Sequence, residues 1–424
     1  MKKLTLKNII NQDVRNNYLS LTFLQVSNYV FPLITLPYLV RTLGANSYGI
    51  IAFATATIAY FQILTDFGFN LTATRKISIH KKEIRIISRV YNTVMNLKFY
   101  LITLSGLILL ILTNTFEIFK SNQIVLFYTF CSVITQALIP VWLFQGIQKM
   151  YYLTISNFIS RLLFTISVFL LIHKTQDYVL VPLLNSLSIL LAGLFCTYIV
   201  FVKLKIEIIK IPLKELKSEL KNNFDIFLSN LSISFYTIFT TILLGIFASN
   251  KEVAYFDGAN KIIRILKNLY NPFAQAIFPY LSEKFETGKK IGLKIASKML
   301  IYSSIIMLII CATIFLMADI IILTLFGAEF EKSVTILRVL ALTPFFITIS
   351  NNLGIQTMIN LGYEKEFRNI LFKGALFSGI LSFVLIPLYQ SIGSAVVIFL
   401  TELLIATLMI YFKKKNINNE LKKT

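Results

Sequence analysis

Long apolar runs recur from one end of this 424-residue sequence to the other. An apolar stretch of about eighteen or more residues is long enough to cross the hydrocarbon core of a bilayer as a helix. Hydrophobic residues make up 56% of the chain and charged residues only 14%, which is far from the balance of a soluble protein of this size. The runs therefore predict an all-α polytopic membrane protein.

The hydropathy pattern predicts twelve transmembrane helices in two six-helix lobes. The basic segment 203–221 separates an N-terminal lobe, 1–202, from a C-terminal lobe, 222–424. The eighth span is unusually long and polar, and the last two spans divide near Gln390. We place the spans at 17–40, 47–71, 91–113, 122–144, 152–172, 178–202, 223–248, 253–282, 299–324, 333–360, 367–388 and 391–412.

The formal charge of +21 has two readings, nucleic-acid binding or membrane topology. Lys and Arg cluster between apolar runs, and mainly in alternate predicted loops such as 72–90, 203–221 and 283–298. Cytoplasmic loops of membrane proteins collect basic residues in this way. We therefore expect a multi-pass protein of a bacterial inner membrane with both termini in the cytoplasm, and no nucleic-acid partner.

Three basic residues interrupt the eighth span. Lys261, Arg264 and Lys267 lie three positions apart, so a helix places them on one broad face. A charged side chain at the bilayer centre costs about 2.5–3.5 kcal/mol even on a lenient scale. These cations should face a protein interior or a hydrated cavity that receives an anionic cargo. The alternative is an internal ion pair, because Asp257 stands four residues before Lys261.

Arg161 lies about ten residues into the predicted fifth span, at a depth similar to that of Arg264. If both spans line one cavity, the two guanidinium groups form a two-sided cationic clamp. The planar fork of Arg suits phosphate, since it donates two parallel hydrogen bonds. We expect Lys98, by contrast, to extend its ammonium towards the cytoplasmic surface.

Four carboxylates in or beside the spans are candidates for ion coupling, or for partners of the buried cations. A carboxylate in such surroundings can carry a proton or bind sodium, so H⁺ or Na⁺ coupling would fit. The three cysteines are widely spaced and the two histidines are far apart, which indicates no metal site and no other cofactor. The candidates are Asp66, Asp225, Asp257 and Glu402.

Several segments resemble the polysaccharide-biosynthesis flippases of the Wzx type, which translocate O-antigen and capsule repeat units. The first is YLVRTLGANSYGIIAFATATIAYFQILTDFGFNLTATRKIS (38–78), which carries Arg41 and Asp66. The others are IPVWLFQGIQKMYYLTISNFISR (139–161), VAYFDGANKIIRILKNLYNPFAQAIFPYLS (253–282) and LRVLALTPFFITISNNLGIQTMINLGYEKEF (337–367). Gln148 stands where the family pattern has Glu.

The resemblance implies a MATE/MOP-like fold of two lobes around a cationic cavity, to which we add Arg41. It implies a cargo of oligosaccharide on undecaprenyl pyrophosphate, with the pyrophosphate on the cavity cations and the lipid tail in the bilayer. Membrane lipids, a polysaccharide polymerase and other biosynthesis proteins are the implied partners.

Two other functions compete with this interpretation. A MATE-like exporter of drugs or small metabolites would favour an anionic or apolar cavity, whereas the deep charges here are mainly positive. A membrane polymerase or glycosyltransferase would need a large loop for its catalytic residues, and the predicted loops are short.

Overall fold

The computed structural model describes residues 12–417, and every regular element within that range is helical. The prediction of an all-α protein is confirmed. Basic residues near both ends of the sequence also support the orientation prediction. Those outside the described range are Lys2, Lys3, Lys7, Lys422 and Lys423. Contacts divide the chain into two compact units, one ending at Leu231 and the other beginning at Ser232.

From residue 12 onward, the first unit contains eight complete helices and most of a ninth. A single 3₁₀ turn, Thr175–Val179, precedes α8, and a π turn, Ile199–Lys203, follows it. The helices are α1 (Gln12–Asp66), α2 (Phe69–Ile79), α3 (Ile84–Thr115), α4 (Glu117–Ser121), α5 (Gln123–Ala137), α6 (Val141–Gly146), α7 (Tyr151–Leu171), α8 (Leu180–Tyr198) and α9 (Leu213–Thr237), whose last turns belong to the second unit.

The second unit continues from the end of α9. A π turn, Gly354–Met358, follows α15, and the chain then reaches a long terminal helix. Its helices are α10 (Phe239–Phe247), α11 (Asn250–Thr287), α12 (Lys289–Leu316), α13 (Ala318–Phe326), α14 (Lys332–Leu340), α15 (Thr343–Leu353) and α16 (Glu364–Phe412).

Two of the long helices are broken at a single residue. Gly44 interrupts α1 with a φ of 71°, a conformation that glycine adopts without steric cost. Gln390 interrupts α16 with a φ of 52°, which is rare for a residue with a Cβ. The second break lies where the sequence predicts the division between the last two spans.

Eight helical segments within the described range are long and apolar enough to cross a membrane, and the bent pair α9–α10 would make a ninth. Helix α11 is not among them, although it has 38 residues. The segments are Val30–Ile79, Ile84–Thr115, Gln123–Gly146, Tyr151–Leu171, Thr175–Lys203, Lys289–Leu316, Lys332–Leu361 and Glu364–Asn416. The chain is therefore a multi-pass membrane protein.

The prediction that segments 72–90 and 283–298 are loops was wrong, because both are mostly helical. Helix α2 continues to Ile79, α3 begins at Ile84, and only Gly288 separates α11 from α12. Lys, Arg and Glu are good helix formers, so a helix can continue into the aqueous region after its apolar run ends. Hydropathy indicates where the apolar, membrane-spanning part of a segment ends, and the helix itself can extend further.

The WLFQG segment forms the short helix α6 and lies in the core of the first unit. Trp142, Leu143 and Phe144 are fully buried. A Cβ on Gly146 would come within 2.6 Å of the Ile77 side chain, so the glycine allows α6 to pack closely against α2. These residues therefore have a packing role.

Candidate functional site

The central part of α11 carries the three predicted cations. Lys261 forms an ion pair with Asp257, with 2.9 Å between Nζ and Oδ2. The Asp257 carboxylate is buried, whereas Lys261 is partly exposed. The alternative that the sequence left open at this position, an internal pair one helical turn apart, is thus the arrangement in the structure.

Arg264 has a different environment from Lys261. Its side chain is exposed, and none of the ion pairs between described residues includes it. It lies near the middle of α11, fifteen positions along a 38-residue helix. None of the hydrogen bonds between described residues uses its guanidinium, whose N–H donors can therefore bind a ligand.

Lys267 and Glu402 form a second pair of opposite charges in this unit. Glu402 is only 6% exposed, and Lys267 is half-buried. Each lies within electrostatic range of the other, and Arg264 also acts on Lys267. Their charged atoms are not among the described ion pairs, so the attraction acts over more than 4.0 Å. This geometry leaves both groups able to take a closer partner.

The remaining predicted cations and Asp225 lie in the first unit. Arg161 is half-buried in α7, and the described ion pairs do not include it. Arg41 is exposed in α1, and so is Asp225 in α9. Arg161 and Arg264 belong to different units, so the two-sided clamp stays a prediction.

Asp66 pairs with Lys98, whose ammonium the sequence analysis placed near the cytoplasmic surface. Lys98 is 4% exposed and donates a hydrogen bond of 2.8 Å from Nζ to Asp66 Oδ1. The prediction that Lys98 extends to the membrane surface was wrong. Charge pairing with Asp66 stabilises an ammonium that would otherwise have to reach water.

Sequence reasoning missed Glu252, in the first turn of α11. Lys332 donates to its Oε1 at 2.6 Å, and the Ser391 hydroxyl donates to its Oε2. The Ser391 backbone N–H lies 3.4 Å from the same oxygen. Ser391 directly follows the break at Gln390, so the carboxylate lies at the start of a new helical segment, where a negative charge is favourable.

A buried amide, also missed, joins three helices. Asn352 of α15 is 2% exposed, and its Nδ2 donates to the Tyr270 hydroxyl of α11 at 2.7 Å and to Ser303 Oγ of α12 at 3.1 Å. One turn further, Gln356 Nε2 donates to the Ala274 carbonyl at 2.8 Å. An Asn followed four positions later by Gln within an apolar run was the available signal.

Polar contacts also connect the predicted linker 203–221 with the first unit. Glu215 of α9 accepts from Arg89 of α3, with 2.7 Å to Nη2, and Glu219 pairs with Lys76 of α2. Asn223 accepts from Thr72 at 2.6 Å. Two ion pairs and one neutral hydrogen bond therefore join the first turns of α9 to α2 and α3.

Within the described part of the chain, no three His, Cys, Asp or Glu side chains come together as ligands. Arg264, Lys267 and Arg161 supply positive charge and hydrogen-bond donors inside helices. Each of these groups can bind an anion by charge and by hydrogen bonding.

Two curated relatives match almost the whole chain. A protein of Escherichia coli (strain K12), named as an O-antigen transporter, is 32% identical over 403 residues, covering 95% of this chain and 97% of the relative. A protein of Shigella dysenteriae with the same name is 29% identical over 403 residues, covering 94% and 99%. The relatives are named transporters, and this chain is a membrane transporter rather than an enzyme.

Solved structures show the same fold at low identity. The lipid II flippase MurJ in its inward closed conformation gives a TM-score of 0.73 with 14% identity, covering 94% of this chain and 87% of that one. An inward-facing MATE multidrug transporter of the MOP superfamily gives 0.71 with 16% identity, covering 93% and 96%. The predicted MATE/MOP-like transporter fold is confirmed.

The family described as "Polysaccharide biosynthesis protein" matches residues 14–285. The match covers the segments at 38–78, 139–161 and 253–282 that carried the resemblance, so the family prediction is confirmed. By that match and by its identity with the E. coli relative, the chain belongs to the polysaccharide biosynthesis protein family of membrane transporters.

Proposed function

We propose that this protein is a flippase for oligosaccharide repeat units carried on undecaprenyl pyrophosphate. It would move them from the cytoplasmic to the outer face of a bacterial inner membrane by alternating access. The observation that carries the proposal is Arg264, a cation at the middle of a long helix outside every described ion pair. Relatives named as O-antigen transporters support a polysaccharide cargo.

The diphosphate is the part of such a cargo that these cations stabilise most strongly. Removing its charge from water is expensive unless charged hydrogen bonds replace the hydration. Arg264 and Arg161 can each offer a planar fork to phosphate oxygens, and Lys267 adds a point charge. We propose that the head group lies at these residues during the crossing, with Arg41 contributing near the end of the path.

We further propose twelve spans with both termini in the cytoplasm. The breaks at Gly44 and Gln390 support dividing α1 and α16 into two spans each. The bent pair α9–α10 counts as one span, and the charged helix α11 as another. Together with the other apolar segments, this division makes two sets of six.

Coupling to an ion gradient is proposed for Glu402 and Lys267. A proton or Na⁺ on the carboxylate would weaken its attraction for Lys267 and leave that ammonium to the diphosphate. Asp66, Asp225 and Asp257 are weaker candidates, because Asp66 and Asp257 already have cationic partners and Asp225 is exposed.

The test replaces Arg264 in cells that export surface polysaccharide only through this transporter. Hydrogen bonds to charged groups contribute about 1.5–3 kcal/mol, so Arg264→Ala should lower export roughly 10- to 150-fold. Arg264→Lys should retain part of it, because the charge remains and the fork is lost. The matched control is Lys251→Ala, an exposed cation at the start of the same helix.

Export is measured by surface-polysaccharide staining, with immunoblotting for protein level. Normal export by Arg264→Ala at the normal protein level would exclude the proposed diphosphate contact. A drug exporter, which the MATE fold alone would also permit, predicts changed drug tolerance and unchanged polysaccharide in the same strains.

A further inference from the structure

A basic pocket of about 260 Å³ lies in the first unit, where three connections of the chain meet. Its charged residues are Lys81 and Lys82, between α2 and α3, and Lys149, between α6 and α7. The rest of the lining is aliphatic, and the lining contains no carboxylate. The aliphatic residues are Ile84, Ile87, Leu143, Ile147, Leu204 and Ile206.

The connections that form the pocket all lie at the same end of the apolar segments. Lys81 and Lys82 lie just after the first of these segments, and Lys149 lies just after the third. Leu204 directly follows the fifth. Successive spans cross a bilayer in opposite directions, so the ends of the first, third and fifth segments reach the same side. The pocket is therefore at a membrane surface.

The three ammonium groups of the pocket are available for a ligand. Lys81, Lys82 and Lys149 are exposed, and none of the ion pairs between described residues includes them. The carboxylates nearest in the sequence, Glu83 and Glu207, do not line the pocket, and the first of them is paired with a histidine. The pocket therefore brings together three positive charges and no negative charge.

The first turn of α3 adds to this positive charge. Ile84 and Ile87 both line the pocket, and both belong to the first four residues of this 32-residue helix. The N–H groups of a first turn have no acceptor within the helix, and the helix dipole gives that end a partial positive charge. Both effects favour an anion in the pocket.

The floor of the pocket belongs to the apolar core of the unit. Ile87, Leu143 and Ile206 are each at most 5% exposed, whereas Ile84 at the rim is 44% exposed. A free phosphate gains nothing from an aliphatic wall. An amphiphile does, because the carbon atoms next to its phosphate leave water when they contact that wall. The lining therefore suits an anionic amphiphile at the membrane surface.

We propose that the pocket binds the head group of an anionic phospholipid from the leaflet at this surface. The lysines bind the phosphate, and the aliphatic residues contact the glycerol and the first acyl carbons. Basic pockets between transmembrane helices on the cytoplasmic side bind lipid phosphates in this way. Ligand pockets measure about 300–1,000 Å³, so a pocket of about 260 Å³ holds the head group while the acyl chains stay in the bilayer.

A phospholipid bound here stabilises the first unit. Its phosphate joins the α2–α3 connection to the α6–α7 connection, which lie more than sixty positions apart in the sequence. A ligand that binds the folded protein and not the unfolded chain raises its thermal stability. This proposal is independent of the cargo, so it stands or falls separately from the proposed function.

A thermal-shift experiment on the full-length protein in neutral detergent tests the proposal. The reporter is the fluorescence of Trp142, the neighbour of the pocket residue Leu143. Phosphatidylglycerol is compared with phosphatidylcholine of the same acyl chains, which carries a phosphate but no net charge. At about 100 times its Kd, phosphatidylglycerol should raise the midpoint by about 5–11 °C, whereas phosphatidylcholine should leave it unchanged.

Two charge-matched variants locate the effect. The pocket variant combines Lys81→Gln, Lys82→Gln and Lys149→Gln, and these exposed side chains can be replaced without disturbing the core. It should lose the shift and bind at least about tenfold less radiolabelled phosphatidylglycerol. The control removes the same charge from three exposed lysines of this unit that do not line the pocket: Lys210→Gln, Lys214→Gln and Lys217→Gln. It should behave as wild type.

Four results would overturn the proposal. Equal shifts with the two lipids would show that the head-group charge is not recognised, and equal losses in the two variants would show a general effect of surface charge. A shift of the same size with inorganic phosphate would assign the pocket to a free anion. Displacement of the radiolabelled lipid by a polyisoprenyl diphosphate at about tenfold lower concentration than by phosphatidylglycerol would assign it to the cargo.

Discussion

The Asp66–Lys98 pair gives a stability prediction that can be worked out from the structure. Replacing Asp66 with Ala leaves the Lys98 ammonium inside the first unit with its counter-charge removed. Removing one partner of a buried pair costs about 3–5 kcal/mol. Because 44% of the Asp66 side chain is exposed, water screens the pair, and we expect the lower end, about 3 kcal/mol.

A double substitution separates charge from packing. Replacing a buried ion pair by apolar residues of similar volume is often neutral or stabilising. Asp66→Ala combined with Lys98→Met should therefore recover most of the stability that Asp66→Ala loses. The control is Arg89→Ala, which removes an exposed pair with Glu215 that should contribute about 1 kcal/mol or less.

The assay uses the only tryptophan in the chain, Trp142, which is fully buried in the same unit. Its fluorescence during heating of the detergent-purified protein reports unfolding of that core. A domain of 150–250 residues shifts by about 2–4 °C per kcal/mol, so Asp66→Ala should unfold about 6–12 °C earlier. If the double variant is as unstable as Asp66→Ala, or if Asp66→Ala shifts no more than Arg89→Ala, the assignment of a buried charge pair is refuted.

Two further predictions concern the second unit and the packing of its last helix. Gly393→Ala would place a methyl group 2.2 Å from the Leu385 backbone oxygen, so little folded protein should be recovered by size-exclusion chromatography. Gly106→Ala, with its nearest neighbour at 3.6 Å, should behave as wild type, and equal recovery of both would contradict the close approach. Glu252→Gln removes the charge that holds Lys332 and Ser391, which should lower the thermal midpoint by an amount corresponding to about 1.5–3 kcal/mol. An unchanged midpoint would show that the carboxylate is not needed there.

Structural features that depend on residues close together in the sequence could be predicted. Apolar length predicted the helices, and the gap in hydropathy near Gln390 predicted the break in α16. The Asp257–Lys261 pair could be anticipated because its members lie four residues apart on one helix. The family could be recognised because four separate segments carried its pattern.

Contacts between distant residues were not predictable from the same patterns. Lys98 and Asp66 are 32 positions apart, and the sequence around Lys98 does not indicate that it pairs with a carboxylate. Glu252 and Asn352 were missed because their importance depends on which helices pack together. That Arg264 belongs to none of the ion pairs between described residues could be learned only from the structure.

The contact between Glu252 and Ser391 has a consequence for biosynthesis. Its two residues are separated by 139 positions, which take about 7–28 s to translate at about 5–20 residues per second. Lys332 follows Glu252 by 80 positions, so the carboxylate gains its ionic partner well before Ser391 is synthesised. A chain that stalls before residue 391 would have Glu252 paired with Lys332 but without the hydrogen bonds from Ser391, so Oε2 of this buried carboxylate would lack its protein donors.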